Sequence, residues 1–179
     1  KLSKEGLSAY GQHPLLGTVS LDRAFYRPLT ASQYAKYAAQ VPPGFRFVVK
    51  APALVCDALV RAQDGRGMAP NPAFLNTDLA VQEFIQPALE GLGDKVGALV
   101  FQISPLPRAL LADVPARIDR IGALLAALPR LAPAAPDGVI ALEVRDAAFL
   151  SAAHAPLLAR ALRAAREASG NPVTYCLGL

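Results

Sequence analysis

The sequence has few of the residues that usually carry metal or redox chemistry. Among 179 residues there are two cysteines, Cys56 and Cys176, and two histidines, His13 and His154. The cysteines lie far apart and in no metal-ligand spacing, which indicates free thiols in a reducing compartment rather than a disulfide framework. Two isolated histidines also exclude a multi-zinc site within this segment. We therefore expect a cytoplasmic protein.

Long apolar runs, a signal peptide and basic clusters are absent too. No run approaches the ~20 apolar residues of a membrane helix, and the start KLSKE lacks the apolar core of a signal peptide. The formal charge of +4 is spread along the chain, with no basic run and no basic stripe interleaved with aromatic residues. No membrane partner is expected, and nucleic-acid binding is compatible with this charge pattern but not indicated by it.

The composition, 53% hydrophobic and 18% charged, suits a single well-buried core, so we expect one domain over residues 1–179. The chain begins without Met and stops within an apolar run. We expect it to be a piece of a longer protein.

Apolar runs alternate with helical patterns along the chain. Strands are predicted over residues 15–22, 45–50, 96–103, 139–146 and 172–177. Helices are predicted over residues 3–12, 31–40, 77–89, 118–128 and 152–168, the third kinked at Pro87. Residues 53–76 lack periodicity and are predicted as a long functional or mobile loop. Strands separated by helices predict a parallel sheet, either doubly wound or closed into a barrel.

Four of the predicted strands end in polar residues, which a buried strand should avoid. The run VIALEVRD ends in charged groups that include Glu143 and Arg145, and three other runs end at Asp22, Lys50 and Gln102. The carboxyl ends of parallel strands meet at one edge of a sheet, so these side chains are expected to line one pocket.

The same endings favour an α/β fold of the TIM-barrel type. A barrel carries its site at the carboxyl ends of the strands, and no strand here is followed by a glycine-rich phosphate loop of the kind found in open sheets. A closed barrel usually needs ~250 residues, so about three βα units should be missing from this chain.

Two interpretations stay open for the charged residues of the pocket. Glu143 and Arg145 lie about 7 Å apart on one strand face. Arg145 either binds a carboxylate or phosphate while Glu143 acts as a base, or the two form a buried ion pair that touches no substrate. Lys50 has a functional interpretation, in which it binds an anion or acts as an amine nucleophile. In the structural interpretation it forms an ion pair with Glu143 or Asp22.

The other candidate residues are assigned supporting roles. Gln102 is predicted to position a ligand through hydrogen bonds, and Tyr26 and Arg27 to line the pocket wall, with simple packing as the alternative for Tyr26. A divalent cation such as Mg²⁺ or Mn²⁺ would have to use hard carboxylate ligands. Those available are Asp22, Asp57, Glu143 and Asp146.

Four blocks of the sequence, in order and in register, resemble the signature blocks of the DUF72 family, also called YecE-like proteins. They are TVSLDRAFYR, PGFRFVVKAP, LVFQISP and ALEVRD. The resemblance implies a TIM-barrel-like fold of which this chain covers roughly the second to sixth strands. It also implies a polar pocket rather than a particular reaction. Ser20 and Asp22 stand where the family usually has Glu and Asn, and Cys56 and Asp57 where it has Thr and His.

These observations lead to three functional hypotheses. The first is a polar pocket at the strand ends that binds a small anionic or phosphate-bearing ligand, with metal-assisted hydrolysis of a phosphodiester or sugar phosphate as its activity if it is an enzyme. The second is a non-catalytic binding or scaffold protein whose charges neutralise one another. The third is a nucleic-acid-binding or nucleic-acid-processing protein.

Overall fold

The computed structural model describes residues 2–62 and 64–176. The strands are β1 (Thr18–Leu21), β2 (Arg46–Lys50), β3 (Leu59–Arg61), β4 (Gly67–Pro70), β5 (Val96–Ile103), β6 (Val139–Val144) and β7 (Val173–Tyr175). The helices are α1 (Leu2–Gly11), α2 (Arg23–Tyr26), α3 (Ala31–Ala38), α4 (Ala53–Cys56), α5 (Thr77–Ala80), α6 (Gln86–Leu92), α7 (Arg108–Leu111), α8 (Val114–Ala126) and α9 (Ala155–Ser169). Leu177, the last residue of the predicted fifth strand, lies outside the described residues.

A five-stranded parallel sheet forms the centre of the molecule, in the order β1-β2-β5-β6-β7. The predicted α/β class and the predicted parallel sheet are confirmed. The spatial order follows the chain order in one direction, whereas a doubly wound sheet reverses its order at a switch point. The connections between neighbouring strands contain the helices.

The two faces of this sheet differ in composition. Residues paired in a parallel register lie side by side and point to the same face. One face carries large apolar side chains that belong to the main core, among them Leu21, Val49, Leu99, Phe101 and Leu142. The ring of Phe101 packs edge-to-face on Phe84, which lies in the helical connection before β5, with ring centroids 5.7 Å apart. The helices therefore cover this face.

The opposite face carries small and polar side chains. Its members include Ser20, Val48, Ala98, Val100 and Ala141, and toward the carboxyl ends of the strands it carries Lys50, Gln102 and Glu143. Val100 and Ala141 are buried but lie outside the main apolar core. The apolar core and the polar strand ends thus occupy different faces of one sheet.

Gly97 adjusts the register between β2 and β5. Phe47 pairs with Val96 and Val48 pairs with Ala98, so Gly97 is an extra residue in β5. A Cβ atom at Gly97 would lie 3.1 Å from the carbonyl oxygen of Phe47. Glycine fits this bulge because a larger residue would press on the neighbouring backbone.

Local contacts mark the start of two helices. A capping box begins α3, since Thr30 Oγ1 accepts a hydrogen bond from the backbone N–H of Gln33 and Gln33 Oε1 accepts one from the N–H of Thr30. Pro87, where the sequence predicts a kink, lies in the first turn of α6, directly after a π-helical segment, Val81–Ile85, that joins α5 to α6. Short 3-10 turns follow at Gly93–Lys95 and Ala147–Leu150.

Residues 53–76 contain more structure than the predicted loop. They hold α4 and an antiparallel hairpin made of β3 and β4. The sequence did not predict these elements because the strands are short and largely exposed, so burial leaves no periodic pattern in them. Within the described part of the chain, no helix combines the length and the apolar character required to cross a membrane.

Candidate functional site

The polar strand ends meet at one edge of the sheet. Asp22 directly follows β1, Lys50 ends β2, and Gln102 and Glu143 lie on β5 and β6. Leu21 pairs with Val49, which places Asp22 next to Lys50, and Gln102 pairs with Glu143. Lys50 pairs with Val100, two residues before Gln102 on the same strand face. The structure thus brings together the strand-end residues that the sequence singled out.

A cleft of about 280 Å³ opens at this edge. Its lining residues are Asp22, Phe25, Tyr26, Lys50, Gln102, Ser104, Pro105 and Arg145. Five of them, Asp22, Tyr26, Lys50, Gln102 and Arg145, are candidates from the sequence. Phe25, Ser104 and Pro105 were missed. Ser104 and Pro105 directly follow β5, so their place after a strand end was the available signal.

One side of the cleft holds an ion pair between a half-buried lysine and an exposed carboxylate. Lys50 Nζ lies 3.2 Å from Asp22 Oδ1, and the hydroxyl of Ser20 donates a hydrogen bond of 2.8 Å to the same oxygen. The Ser20 hydrogen bond, followed by the hydrogen bond and charge of Lys50, outweighs the opposing effect of burial and lowers the pKa of Asp22 below its ordinary value. Asp22 is thus an ionised partner of Lys50.

The other side of the cleft rests on a buried carboxylate. Glu143 is 5% exposed, and its Oε1 accepts a hydrogen bond of 3.0 Å from Gln102 Nε2. Arg145 Nε lies 2.9 Å from the same oxygen, while the Arg145 side chain keeps 41% of its surface exposed. Glu143 therefore lies beneath the cleft and holds the guanidinium of Arg145 at the cleft surface.

Tyr26 and Arg27 have different positions. Tyr26, at the end of α2, lines the cleft. Arg27 follows α2, is exposed and does not line the cleft. Its predicted role in ligand binding therefore has no support from its position.

A family profile described as "Protein of unknown function DUF72" matches residues 1–169. The chain belongs to the DUF72 family. No curated protein matches its sequence.

Two crystal structures resemble this DUF72 chain, both of a DUF72 family protein from Enterococcus faecalis V583. The structure at 2.52 Å resolution aligns with a TM-score of 0.57 and 20% sequence identity, covering 97% of this chain and 58% of the other. The structure at 3.10 Å resolution aligns with a TM-score of 0.57 and 18% identity, covering 96% of this chain and 52% of the other. At this identity the likeness shows a shared fold. This DUF72 chain spans a little over half the length of those chains.

The four carboxylates suggested as metal ligands do not form one site in this DUF72 chain. Residues 2–62 and 64–176 contain no group of three or more His, Cys, Asp or Glu side chains arranged to hold a metal ion. Asp57 is buried and paired with Arg61, and Asp146 accepts a hydrogen bond of 2.9 Å from the backbone N–H of Leu106. With Asp22 and Glu143 paired as described above, the side chains do not fit the divalent cation that the sequence suggested.

Cys56 is unsuited to nucleophilic chemistry. Its side chain is fully buried, and burial is the main reason that the pKa of its thiol is raised well above the ordinary value. The reactive thiolate is therefore scarce at neutral pH, and Cys56 acts as a small core residue of this DUF72 chain.

Proposed function

We propose that this DUF72 chain binds a small anionic or phosphate-bearing ligand between Lys50 and Arg145. The observation that carries the proposal is the charge of the cleft lining: two cations, Lys50 and Arg145, against one carboxylate, Asp22. These cations come from the ends of different strands, so an anion between them would contact both. Ligands of α/β proteins bind outside the carboxyl ends of the strands.

The contact between Arg145 and Glu143 leaves the terminal nitrogens of the guanidinium available to an anion. The guanidinium meets Glu143 through Nε, and no hydrogen bond from its terminal nitrogens is found among residues 2–62 and 64–176. A guanidinium is planar and can present two parallel N–H groups to a phosphate or carboxylate. We infer that Glu143 and Gln102 are positioning residues that orient Arg145 toward the ligand.

The same geometry bears on catalysis. Lys50 and Arg145 could stabilise negative charge that develops during hydrolysis of a phosphoester. Glu143 is buried and bound by both Gln102 and Arg145, so its position supports orienting Arg145 better than removing a proton. The catalytic assignments of Lys50 and Glu143 stay predictions, and binding is the function that the cleft supports best.

A second candidate is a non-catalytic protein whose cleft charges are structural. The observation that favours it is that each cation already has an acidic partner, Asp22 for Lys50 and Glu143 for Arg145. On that hypothesis the ion pairs orient strand ends and no ligand enters.

The nucleic-acid hypothesis requires arginines gathered around the cleft. Arg160, Arg163 and Arg166 instead lie exposed on α9.

Calorimetric titration of the intact protein with inorganic phosphate separates the two candidates. Because a hydrogen bond to a charged group contributes ~1.5–3 kcal/mol, Lys50→Met and Arg145→Met should each weaken binding about tenfold or more. Arg160→Met is the matched control, since it removes an exposed arginine of α9 that does not line the cleft. Equal affinity in all four proteins, or no binding by the wild type, would exclude the anion site and favour structural ion pairs.

We further infer that the sheet is part of a closed (β/α) barrel in the whole protein. The uninterrupted strand order and the helix-covered face support this, because a barrel carries its helices on the outside and its strands in sequence order. Hydrogen exchange tests closure in the intact protein. Backbone amides of β1 should be protected as well as those of β5, whereas fast exchange along β1 would indicate an open edge.

A further inference from the structure

A second, larger depression adjoins the cleft that holds Lys50 and Arg145, which we call the anion cleft. Its volume is about 730 Å³, and it shares part of its wall with the cleft described above. The shared residues are Phe25, Tyr26, Ser104 and Pro105. The two depressions are therefore neighbouring compartments on one surface, and we call the larger one the apolar hollow.

The apolar hollow offers a mainly hydrophobic surface. Leu54, Leu59 and Val60 line it. Val60 is 48% exposed and Tyr26 is 84% exposed. Large apolar side chains gathered around a depression and exposed to water commonly mark a binding site.

Three polar residues of the hollow, Asp57, Arg61 and Asn71, are engaged within the protein. Asp57 is paired with Arg61, and Arg61 Nη1 donates to the carbonyl of Gly65 over 3.0 Å. The Asn71 side chain donates to the carbonyl oxygens of Leu54 and Asp57, each over 2.8 Å. These groups fix α4 and the β3–β4 hairpin in place, and the opposite charges of Asp57 and Arg61 cancel.

The wall between the two compartments is aromatic. The rings of Phe25 and Tyr26 meet edge-to-face, with centroids 5.5 Å apart and planes at 87°. Because Tyr26 is so exposed, its ring can contact a flat ligand at the entrance to the hollow. A ligand that lies across this wall would place its charge beside Lys50 and Arg145 and its body beside Leu54 and Val60.

We propose that the ligand is a phosphate monoester with an aromatic body. Its phosphate would occupy the cleft and its ring system the apolar hollow. This inference rests on the proposed anion site and specifies the class of molecule that the site accepts. Burying a ring in the hollow adds hydrophobic stabilisation that inorganic phosphate cannot gain.

The probes for this proposal are 1-naphthyl phosphate, inorganic phosphate and 1-naphthol, titrated separately into the intact protein. Naphthyl phosphate should bind about tenfold or more tightly than inorganic phosphate, because it also buries its rings. Val60→Asn should remove most of this advantage and leave the affinity for inorganic phosphate unchanged. Leu54→Asn is a second variant with the same expected effect, and circular dichroism with cooperative thermal unfolding confirms that each variant is folded.

Met68→Asn is the matched control. Met68 is 66% exposed on β4 of the same hairpin and does not line the hollow, so its replacement should leave all three affinities unchanged. The inference fails if naphthyl phosphate binds no more tightly than inorganic phosphate, or if Met68→Asn and Val60→Asn weaken it equally. In either case, the proposed anion site is still supported if inorganic phosphate binds and Lys50→Met weakens that binding. Naphthol binding without any phosphate binding would overturn both proposals.

Discussion

Gln102 and Glu143 occupy opposite positions on β5 and β6, and their side chains are joined by a hydrogen bond of 3.0 Å. Both residues are buried. A buried carboxylate is costly unless it is paired and hydrogen-bonded, and here Gln102 and Arg145 fulfil both requirements. The pair therefore connects the stability of the sheet to the orientation of the arginine in the cleft.

Replacing both members of this pair should cost less than the sum of the two single replacements. Gln102→Leu leaves the Glu143 carboxylate without its amide partner, and we expect a loss of ~1.5–3 kcal/mol in the free energy of unfolding. Glu143→Leu leaves Gln102 and Arg145 without their carboxylate partner, and we expect it to lower the free energy of unfolding by a similar amount. The double variant should lose less than the sum of the two, as measured by urea unfolding. Strictly additive losses would show that the two side chains do not interact.

Ser20 and Lys50 should both hold the pKa of Asp22 below its ordinary value. The Ser20 hydrogen bond is the largest single cause of the lowered pKa of Asp22, so Ser20→Ala should raise that pKa toward the ordinary value of 3.8. Lys50→Met should raise it too, because it removes both a hydrogen bond and a nearby positive charge. A lowered pKa in the folded state stabilises the protein at neutral pH, and this contribution is lost as the pH falls through the folded-state pKa.

Carboxyl chemical shifts measured by NMR as a function of pH give the pKa of Asp22 in each protein. Asp64→Asn is a control, because Asp64 pairs with Arg66 on the β3–β4 hairpin, outside the residues that contact Asp22. An unchanged pKa of Asp22 in Ser20→Ala would contradict the assigned role of the Ser20 hydrogen bond.

Tyr34 should make the protein sensitive to alkali. Its side chain is fully buried in α3, and its hydroxyl has no hydrogen-bond partner among the described residues. Burial raises the pKa of Tyr34 well above its ordinary value of 10.0. As the pH rises, Tyr34 therefore ionises first in the unfolded chain. The free energy of unfolding keeps its full value below the ordinary pKa of 10.0 and falls as the pH rises above it.

Tyr34→Phe should reduce this alkaline loss. An unsatisfied buried hydroxyl costs ~1–3 kcal/mol, so the variant should also be at least as stable as the wild type at neutral pH. Urea unfolding on either side of the ordinary tyrosine pKa measures both effects, and Tyr26→Phe, an exposed tyrosine at the end of α2, is the control. A less stable Tyr34→Phe at neutral pH would show that the hydroxyl is bonded.

Gly91 allows α3 and α6 to approach closely. A Cβ atom at Gly91 would lie 2.3 Å from the carbonyl oxygen of Ala31 and 2.4 Å from Cβ of Tyr34. Gly91→Ala should destabilise the protein by ~1–3 kcal/mol through this overlap, although alanine favours a helix. Gly17→Ala is the control, because a Cβ at Gly17 meets nothing within 4 Å. Equal stability of the two variants in thermal unfolding would show that the helices can separate at no cost.

The sheet and the polar part of the site could be predicted from the sequence. Branched apolar runs that end at Asp22, Lys50, Gln102 and Glu143 mark strands whose carboxyl ends are polar, and parallel pairing then places those ends together. The contact between Glu143 and Arg145 was one of the two interpretations that their spacing on one strand left open. Which carboxylate pairs with Lys50 did not follow, because both Asp22 and Glu143 were within reach along the same edge.

The apolar hollow could not be predicted. It depends on Val60 and Leu54, which lie in a short hairpin and a short helix with exposed side chains, so no periodic burial marks them. The engagement of Asp57 by Arg61 is a local tertiary contact, and the sequence presented Asp57 instead as a free metal ligand. The bulge at Gly97 depends on the backbone of the neighbouring strand, which a sequence pattern does not contain.

The most direct test of the account is the location of a bound anion. Crystals of the intact protein soaked in tungstate, an electron-dense analogue of phosphate, reveal the ion through its anomalous scattering. The account predicts a peak within hydrogen-bonding distance of both Lys50 Nζ and the terminal nitrogens of Arg145. Tungstate bound only at other surfaces, with the Lys50–Asp22 and Arg145–Glu143 pairs undisturbed, would contradict it.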